Sequence, residues 1–315
     1  MSDGVPGLAS VVVALNPHAH AMGPVLDAWA DQQAAGPFEV IVVDGGARSD
    51  FGAVAAAHRK RRPATPVRTV EVSTAGRAAA NNAGVRAGRG ELIVFVADDF
   101  RPSPGLVAAH RHFHAFAPPS AVGVGASFFD EADRHDVFRR WMEDGGLGFG
   151  VAFPVAGIDW RDDYFYVGNA SLRRSTFERI GPFDERYRYD LFDDFEFSLR
   201  LRAAGLRTRF VPRAVAWHDH EYSIEERVIA TTRLGEAARE FESIGEGPRP
   251  WASIAELPVD VLAAELDALP PPADGESIGD LRHRWKLALT VAFLRGYGAV
   301  RCATHPPRGE SREPG

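Results

Sequence analysis

The sequence predicts an α/β protein in which helices flank a mostly parallel sheet. Residues 10–15 (SVVVAL) and 38–43 (FEVIVV) are short runs rich in Val and Ile, each followed by polar or turn residues. Such runs are typical of strands that are buried on both faces of a parallel sheet. Between them, the apolar side chains of residues 24–35 recur at helical spacing. A strand, a helix and a second strand in this order form the repeating unit of parallel sheets.

The alternation of helices and strands continues along the chain. The pattern predicts helices at 51–61 and 76–87 and strands at 67–72 and 91–96. Further helices are predicted at 103–117, 172–180, 225–243 and 258–269, and further strands at 121–129 and at 208–211, the latter with an extension at 215–217. An acid-led helix that ends at Gly205 and a last helix pair at 278–300 complete the pattern. Ligands of such sheets gather at the carboxyl ends of the strands, so the residues that follow each strand are the first candidates for a binding site.

Composition and charge exclude several classes of partner. Of the 315 residues, 45% are hydrophobic and 25% are charged, and the formal net charge of −7 gives no general attraction for nucleic acid or anionic lipid. Cys302 is the one cysteine, which excludes an internal disulfide and is compatible with a reducing cytosol. No basic segment followed by a long apolar run is found in residues 1–10, so no signal peptide is predicted. We expect a cytoplasmic location, with contact at the inner face of the membrane as a further option.

Two adjacent carboxylates, Asp98 and Asp99, follow the apolar strand at 91–96. Like charges at the end of a strand repel unless a positive group lies between or beside them. A divalent cation is the simplest such group, since Mg²⁺ and Mn²⁺ commonly bind one or two protein carboxylates and complete their shell with phosphate oxygens and water. The alternative is that one aspartate caps the following helix while the other is solvated. Both interpretations stay open at this point.

A second acidic cluster, formed by Asp193, Asp194 and Glu196, stands at the start of a predicted helix. Acidic residues there interact favourably with the helix dipole, which is a sufficient structural reason for acids in general. That reason does not explain an Asp194 set among the aromatic residues Phe192 and Phe195. Asp194 is therefore also a candidate for a chemical role.

Histidine pairs and glycine clusters carry weaker signals. His110 and His114 share a helical face, but without a third ligand nearby in the sequence they do not predict a metal site. The glycine cluster at 145–150 (GGLGFG) is expected to form a mobile loop. It lacks the Lys-Ser/Thr pair and the strand-to-helix turn of a phosphate-binding loop.

Several loose motifs occur in an order that resembles family 2 glycosyltransferases of the GT-A fold. They are SVVVALN, VIVVDGG, GRAAANNAG, the triplet ADD, GNASLRR, GPFDE, DDFEFSLRLRAAG and WH, and the resemblance covers residues 10–222. It implies a Rossmann-like, mostly parallel sheet flanked by helices, with the C-terminal helices as an extension. It also implies an inverting, metal-dependent transfer of a hexosyl or deoxyhexosyl group from a nucleotide-diphosphate sugar to an acceptor hydroxyl.

The resemblance implies binding roles for residues that follow the strands. The residues implied to contact the base, ribose or phosphates of the nucleotide are Ala14, Leu15, Asn16, Asp44, Arg77 and Asp98. Asp99 is implied as a direct ligand of Mn²⁺ or Mg²⁺, and His218 as a further metal ligand or a diphosphate contact. The alternative for His218 is an ordinary surface histidine beside Trp217. The first Asp of the family's Asp-x-Asp motif is Ala97 here, and some relatives have another small residue at that position.

The resemblance also implies catalytic and sugar-binding roles. Asp194 matches the second acid of the family's Glu-Asp motif, which is the usual catalytic base. Asp193 replaces the Glu of that motif, and its shorter side chain is expected to alter the position of the acceptor. Asn169 is implied to bind a donor-sugar hydroxyl. Asp184 is interpreted as a turn or cap residue. The expected donor is a UDP-, dTDP- or GDP-sugar, and the expected acceptor is a glycan, a lipid-linked molecule or a small natural product.

The motifs also divide the chain. Residues 1–222 are predicted to form the GT-A catalytic domain, with a nucleotide-binding half at 8–100 and an acceptor-binding half at 101–222. Residues 223–302 are predicted to be helical, and 303–315 to be a disordered tail.

Packing against the catalytic domain is the expected arrangement of the C-terminal helices. The alternatives are that they cover the acceptor site, form a homodimer interface, or lie on a membrane through Trp285, Leu289 and Phe293.

Other classes with a strand-helix-strand start fit the residues less well. A dinucleotide-dependent oxidoreductase needs GxGxxG after the first strand, where ALNPHAH stands, and a nucleotidyltransferase needs a Gly-rich, basic loop there. A metal-dependent nucleotide-sugar hydrolase uses the same carboxylates. A non-catalytic sugar-nucleotide-binding homologue is compatible with Ala97 and Asp193, which depart from the family pattern. These last two alternatives stay open.

Overall fold

A computed structural model of the chain describes residues 4–16, 22–45, 51–73, 76–129, 136–144, 164–187, 192–218, 223–245, 247–271 and 277–299. The strands in these ranges are β1 (Val5–Ala14), β2 (Phe38–Asp44), β3 (Val67–Glu71), β4 (Gly90–Val96), β5 (Phe100–Pro102), β6 (Ala121–Phe129), β7 (Asn169–Arg173) and β8 (Arg207–His218). The helices are α1 (Met22–Ala30), α2 (Phe51–Arg61), α3 (Arg77–Ala87), α4 (Leu106–Phe116), α5 (Val137–Asp144), α6 (Arg174–Ile180), α7 (Asp193–Ala203), α8 (Ile224–Ile244), α9 (Ala252–Ala255), α10 (Val259–Ala268) and α11 (Ile278–Ala299). The loop predicted at 145–150 and the tail predicted at 303–315 lie outside the described residues.

The eight strands form one sheet in the order β3-β2-β1-β4-β7-β6-β8-β5. Strands β3, β2, β1 and β4 are parallel to one another, and β6 is parallel to β8. Strand β7 runs antiparallel to both β4 and β6, and β5 runs antiparallel to β8. The predicted class, a mostly parallel sheet flanked by helices with a helical C-terminal region, is confirmed.

The valine-rich strands are buried on both faces of the sheet. Val11 and Val13 of β1 pack into one core cluster with side chains of α1. Val12, between them, points to the opposite face and packs with side chains of α3. Because β1, β2 and β4 are parallel and paired along their length, their carboxyl ends lie at the same edge of the sheet.

Two predicted elements differ from the observed ones. Residues 172–180 are predicted as one short helix, but the chain forms strand β7 before α6 begins at Arg174. Residues of β7 are buried on both faces, so the strand lacks the polar and apolar alternation that marks a strand in a sequence. The last helix pair predicted at 278–300 is a single helix, because Gly296 lies inside α11 and does not form a turn.

The C-terminal helices α8 and α11 cross closely at two glycines. A side chain at Gly235 would overlap backbone atoms of α11, and one at Gly296 would overlap the backbone carbonyl of Thr232 in α8. An aromatic cluster connects this helix pair to the start of α7, and its members include Phe192, Phe195, Phe241, Trp251 and Phe293. The helices therefore pack against the sheet domain, which is the expected arrangement.

Two of the side chains proposed for a membrane contact lie inside the protein. Trp285 packs edge-on against Phe138, with ring centroids 5.1 Å apart, and Phe293 is fully buried. The prediction of a membrane contact through these two residues is wrong, because other helices already cover their apolar surface. No helix in the described part of the chain is long and apolar enough to cross a bilayer. Peripheral contact through another surface, and a homodimer, stay predictions.

We expect Gly296→Ala to destabilise the fold, and Gly298→Ala on the same helix to leave it equally or more stable. The first substitution forces a methyl group against the Thr232 carbonyl, and overpacking of this kind costs about 1–3 kcal/mol. The second meets open space, and alanine in place of a helical glycine gains roughly 0.5–1 kcal/mol. Urea denaturation of both variants measures the difference, and equal midpoints would contradict the close helix crossing.

Candidate active site

Asp98 ties together the ends of two neighbouring strands. Its Oδ2 accepts a hydrogen bond from the backbone N–H of Asn16 at 2.7 Å, and its side chain is buried. Asn16 follows β1 and Asp98 follows β4, so the bond spans the edge at which these parallel strands end. Asp98 therefore shapes the loop after β1, which is the loop predicted to contact the nucleotide.

The structure brings Asp99 and His218 together. Strand β5 pairs with the end of β8 so that Phe100 stands opposite His218, and this register places Asp99 Oδ2 3.2 Å from His218 Nε2. The imidazole is buried, and the rings of Phe100 and Phe129 each meet it edge-on with centroids 5.5 Å away. Asp99 keeps 27% of its side chain exposed. A partly exposed oxygen and a buried ring nitrogen therefore face each other at the sheet edge.

Asp99 and His218 fit one part of a divalent metal shell. Within the ranges that the structure describes, no group of three or more His, Cys, Asp or Glu side chains is placed to enclose a metal ion. Two protein ligands are enough, however, for an ion that completes its shell with diphosphate oxygens and water. The oxygen of Asp99 and the nitrogen of His218 are suitable donors for such an ion.

Asp193 and Asp194 begin α7, and each has only 1% of its side chain exposed. Arg77, at the start of α3, binds Asp193 closely: its Nε lies 3.2 Å from both carboxylate oxygens, and its Nη2 also donates to Oδ1. The same Nη2 lies 3.3 Å from Oδ2 of Asp194. One guanidinium therefore stabilises two buried carboxylates that repel each other.

Asp194 has two further donors in the segment 164–168. The hydroxyl of Tyr164 donates to Asp194 Oδ1 at 2.9 Å, and the backbone N–H of Val167 also donates to the carboxylate. Burial raises the pKa of Asp194 from 3.8 to about 6; Arg77 opposes this rise and the charge of Asp193 adds to it. A carboxylate with this pKa is a stronger base than a solvated aspartate and is still ionised at neutral pH.

The segment 164–168 also connects Asp194 with the Asp99 pair. The ring of Tyr164 stacks on that of Tyr166, with centroids 6.3 Å apart, and Tyr166 contacts Phe100 at 6.2 Å. Phe100 is the neighbour of Asp99 in the sequence and contacts His218 in space. The two acidic groups are thus joined by one continuous chain of aromatic contacts.

Four of the residues predicted to bind the nucleotide lie at the same sheet edge. Ala14 ends β1, and the N–H of Leu15 donates to the carbonyl of Val43 at 2.9 Å, which keeps the loop after β1 beside β2. Asn16 is exposed, and Asp44, the last residue of β2, is half-buried. Their contacts with a nucleotide stay predictions.

Arg77 and Asn169 are already engaged inside the protein. Arg77 is bound to the acids of α7 and keeps 24% of its side chain exposed, and its predicted contact with a base or phosphate stays a prediction. Asn169 is fully buried: its amide group donates to the carbonyls of Ala126 and Ala214, and its Oδ1 lies 3.0 Å from His110 Nε2. A donor-sugar contact by Asn169, which also stays a prediction, would require one of these bonds to break.

Three other residues have structural roles. His110 Nδ1 and His114 Nε2 lie 2.8 and 2.9 Å from the hydroxyl oxygen of Ser171, so this pair joins α4 to β7. Burial lowers the pKa of His110 to about 4 and that of His114 to about 3, so both rings are neutral at pH 7. Asp184 is a turn residue, as predicted, because its Oδ1 accepts a hydrogen bond from the backbone N–H of Arg186 at 3.0 Å.

Sequence reasoning missed the contacts that Tyr164 and Val167 make with Asp194. Tyr164 lies 30 positions before its partner, and no local spacing connects them. One signal was present: the aromatic run at 164–166 (YFY) is separated by one residue from the motif GNASLRR, and a tyrosine hydroxyl near the core usually has a hydrogen-bond partner.

The fold and the site together define an α/β protein with acidic groups at the carboxyl ends of parallel strands, where such sheets bind ligands. Residues 10–183, more than half of the chain, match the family described as "Glycosyl transferase family 2". The chain belongs to glycosyl transferase family 2.

Two solved structures share the fold. The mannosyltransferase PcManGT from Pyrobaculum calidifontis, in complex with GDP-Man and Mn2+, superposes with a TM-score of 0.59 at 19% identity, covering 92% of this chain and 87% of that one. S. aureus TarS 1–349, in complex with UDP-GlcNAc, superposes with a TM-score of 0.50 at 14% identity, covering 92% and 90%. At these identities the likeness shows the fold alone, and that fold is the GT-A fold.

A curated relative, "Uncharacterized protein y4gI" of Sinorhizobium fredii (strain NBRC 101917 / NGR234), is 28% identical over 236 residues. The match covers 70% of this chain and 25% of that protein. The chain therefore spans about a quarter of the length of this relative.

We expect Arg77→Met to destabilise the fold strongly at pH 8 and much less at pH 5. The variant leaves two buried carboxylates without their cation. Removing one partner of a buried ion pair lowers the free energy of unfolding by on the order of 3 kcal/mol, and the loss is smaller here because Arg77 is partly exposed to solvent. Burial already holds the pKa of Asp194 above its unfolded value. The loss of stability caused by the ionised carboxylate is therefore present above the pKa of Asp194 in the folded state. It decreases as falling pH protonates the carboxyl.

Urea denaturation of Arg77→Met at the two pH values measures this penalty. Arg86→Met, which changes an exposed arginine of the same helix, is the matched control and should match the wild type at both values. A loss of stability in Arg77→Met that is the same at pH 5 and pH 8 would mean that the carboxylates are not its cause.

Proposed function

We propose that the chain is an inverting glycosyltransferase that moves a hexosyl or deoxyhexosyl group from a nucleotide-diphosphate sugar to an acceptor hydroxyl. The observation that carries the proposal is the connection of two acidic groups at one end of the sheet: Asp99 with His218, and Asp194 with Tyr164. Membership of the family supports sugar transfer. The different surroundings of the two groups support separate roles for them.

Asp194 is the general base in this proposal. Its carboxylate takes the proton of the acceptor hydroxyl while the hydroxyl oxygen forms a bond to the anomeric carbon. The bond between that carbon and the diphosphate oxygen breaks, and the bonding electrons leave with the diphosphate. Attack from the face opposite the leaving group inverts the anomeric centre. A base positioned in this way contributes about 10²–10⁴-fold to the rate.

Asp99 and His218 would hold a divalent cation at the diphosphate end of the donor. When bound, such an ion stabilises the negative charge that develops on the departing diphosphate. Mn²⁺ suits the pair better than Mg²⁺, because the pair includes an imidazole nitrogen and Mg²⁺ prefers oxygen ligands. The presence of Mn2+ with GDP-Man in the mannosyltransferase of the same fold supports a metal of this kind.

The remaining strand ends would contact the nucleotide and the acceptor. Asn16, which is bound to Asp98, and Asp44, at the end of β2, would contact the nucleotide of a UDP-, dTDP- or GDP-sugar, since a carboxylate suits a pyrimidine N–H or a ribose hydroxyl. The acceptor would approach from the side of Asp193 and Asp194. A glycan, a lipid-linked molecule and a small natural product all offer the hydroxyl that the reaction needs.

Nucleotide release from UDP-, GDP- and dTDP-sugars, measured with Mn²⁺ or Mg²⁺ and with a panel of acceptors, tests the function. A transferase releases nucleotide in step with the transfer of sugar to an acceptor. A nucleotide-sugar hydrolase releases nucleotide without any acceptor, and a non-catalytic binding homologue releases none in either case.

We expect Asp194→Asn and Asp99→Ala to fail in different ways. Asp194→Asn removes the base and should lower transfer by about 10²–10⁴-fold, while donor binding stays near the wild-type value. Asp99→Ala removes a metal ligand and should weaken metal-dependent binding of the nucleotide. Calorimetric titration with the nucleotide diphosphate, with and without Mn²⁺, separates the two variants. Equal loss of nucleotide binding in both would contradict this division of roles.

We expect transfer by the wild type to fall as the pH drops below about 6. Asp194 must be ionised to accept a proton, and burial holds its pKa at about 6. A base with the ordinary aspartate pKa of about 3.9 would lose activity only near pH 4. The profile of kcat against pH measures this limb, with nucleotide binding followed over the same range as a control. A loss that begins only near pH 4 would count against Asp194 as the base.

A further inference from the structure

We propose that Tyr164 is a positioning residue for Asp194: its hydroxyl fixes one carboxylate oxygen and stabilises the ionised form that accepts the proton. The inference rests on the proposed role of Asp194 as the base. It gives a function to a side chain that none of the sequence motifs contains.

The two oxygens of the carboxylate have different partners. Tyr164 donates to Oδ1 of Asp194 at 2.9 Å, while Arg77 stands 3.3 Å from Oδ2. The guanidinium makes its main contact with Asp193, through both Nε and Nη2. Without the hydroxyl, the carboxylate keeps the backbone N–H of Val167 and is drawn toward Arg77, which changes the direction in which it presents its lone pairs.

Tyr164 belongs to a segment that is anchored on α7 itself. The backbone N–H of Phe165 donates to Ser198 Oγ at 2.9 Å, and the Ser198 hydroxyl donates to the backbone carbonyl of Asp194 at 2.6 Å. Phe165 is fully buried, and the ring of Tyr164 stacks on Tyr166. A hydroxyl presented from such a segment has little freedom to move, which is what the precise orientation of a catalytic group requires.

Tyr164 remains a donor throughout the pH range of an assay. Burial, and then the negative charge of Asp194, hold the pKa of Tyr164 well above its usual 10. Among the residues that the structure describes, the charged groups that face Asp194 are Arg77 on α3 and Asp193 on α7. A hydrogen bond to the ionised carboxylate favours that form, so loss of the hydroxyl should raise the pKa of Asp194 further.

The test compares Tyr164→Phe with Tyr297→Phe. The control also removes a tyrosine hydroxyl that donates to a carboxylate, that of Glu242, but it lies between the C-terminal helices. In Tyr164→Phe, kcat should fall roughly tenfold to a hundredfold, since hydrogen bonds to charged groups are of this strength. The KM for the donor should stay within about twofold, and the acid limb of the kcat profile should move up by about one pH unit. Tyr297→Phe should change neither.

Carbon-13 NMR of protein labelled at the aspartate carboxyls gives a second readout that needs no substrate. The Asp194 signal is identified by its loss in Asp194→Asn, and its titration midpoint should be higher in Tyr164→Phe than in the wild type. Thermal unfolding of the same samples shows whether the variants are folded.

The outcomes separate this inference from the proposed function. Unchanged kcat and an unchanged NMR midpoint in Tyr164→Phe would overturn the positioning role. Lost activity with an unmoved midpoint would mean that Tyr164 is only structural, which also overturns it. A raised midpoint in a protein that transfers no sugar would support the contact between Tyr164 and Asp194 and refute the transferase function.

Discussion

Two carboxylates buried side by side at the start of one helix are the constraint on which the rest of the site depends. Asp193 and Asp194 are almost completely shielded from water, where repulsion between like charges is much stronger than in solvent. The compensating guanidinium of Arg77 comes from α3, which precedes β4 in the chain, whereas α7 precedes β8. One electrostatic contact thus holds together helices from the two parts of the chain that were predicted to bind the nucleotide and the acceptor.

The repulsion between the other two neighbouring acids, Asp98 and Asp99, is reduced in a different way. Asp98 and Asp99 are neighbours in the chain, but they point to different partners: Asp98 is buried against the backbone N–H of Asn16, and Asp99 faces His218 and solvent. One charge is therefore used to build a loop, and the other remains accessible to a ligand. The two aspartates are therefore adjacent for separate reasons: one stabilises the loop after β1, and the other is available to a ligand at the end of β4.

Much of the fold was predictable from local sequence, but only part of the site was. The apolar runs of β1, β2 and β4 specify buried parallel strands, and the residues that follow them fall at the expected edge. Strand β7 was missed because it is buried on both faces, and no periodicity distinguishes it from the start of a helix. The partners of Asp194 were missed for a different reason: Arg77 and Tyr164 reach it only through tertiary packing, 117 and 30 positions away in the chain.

The aromatic cluster beneath the C-terminal helices limits how this chain can be shortened. Phe192 and Phe195 flank the buried acids, and three side chains from the region beyond the last family motif pack against them: Phe241, Trp251 and Phe293. Removing the C-terminal helices would expose the aromatic face and let water hydrate the acids. Because burial raises the pKa of Asp194, hydration would lower the affinity of Asp194 for a proton. The appended region therefore keeps the surroundings of the two carboxylates apolar, and a shortened version of the chain has to retain it.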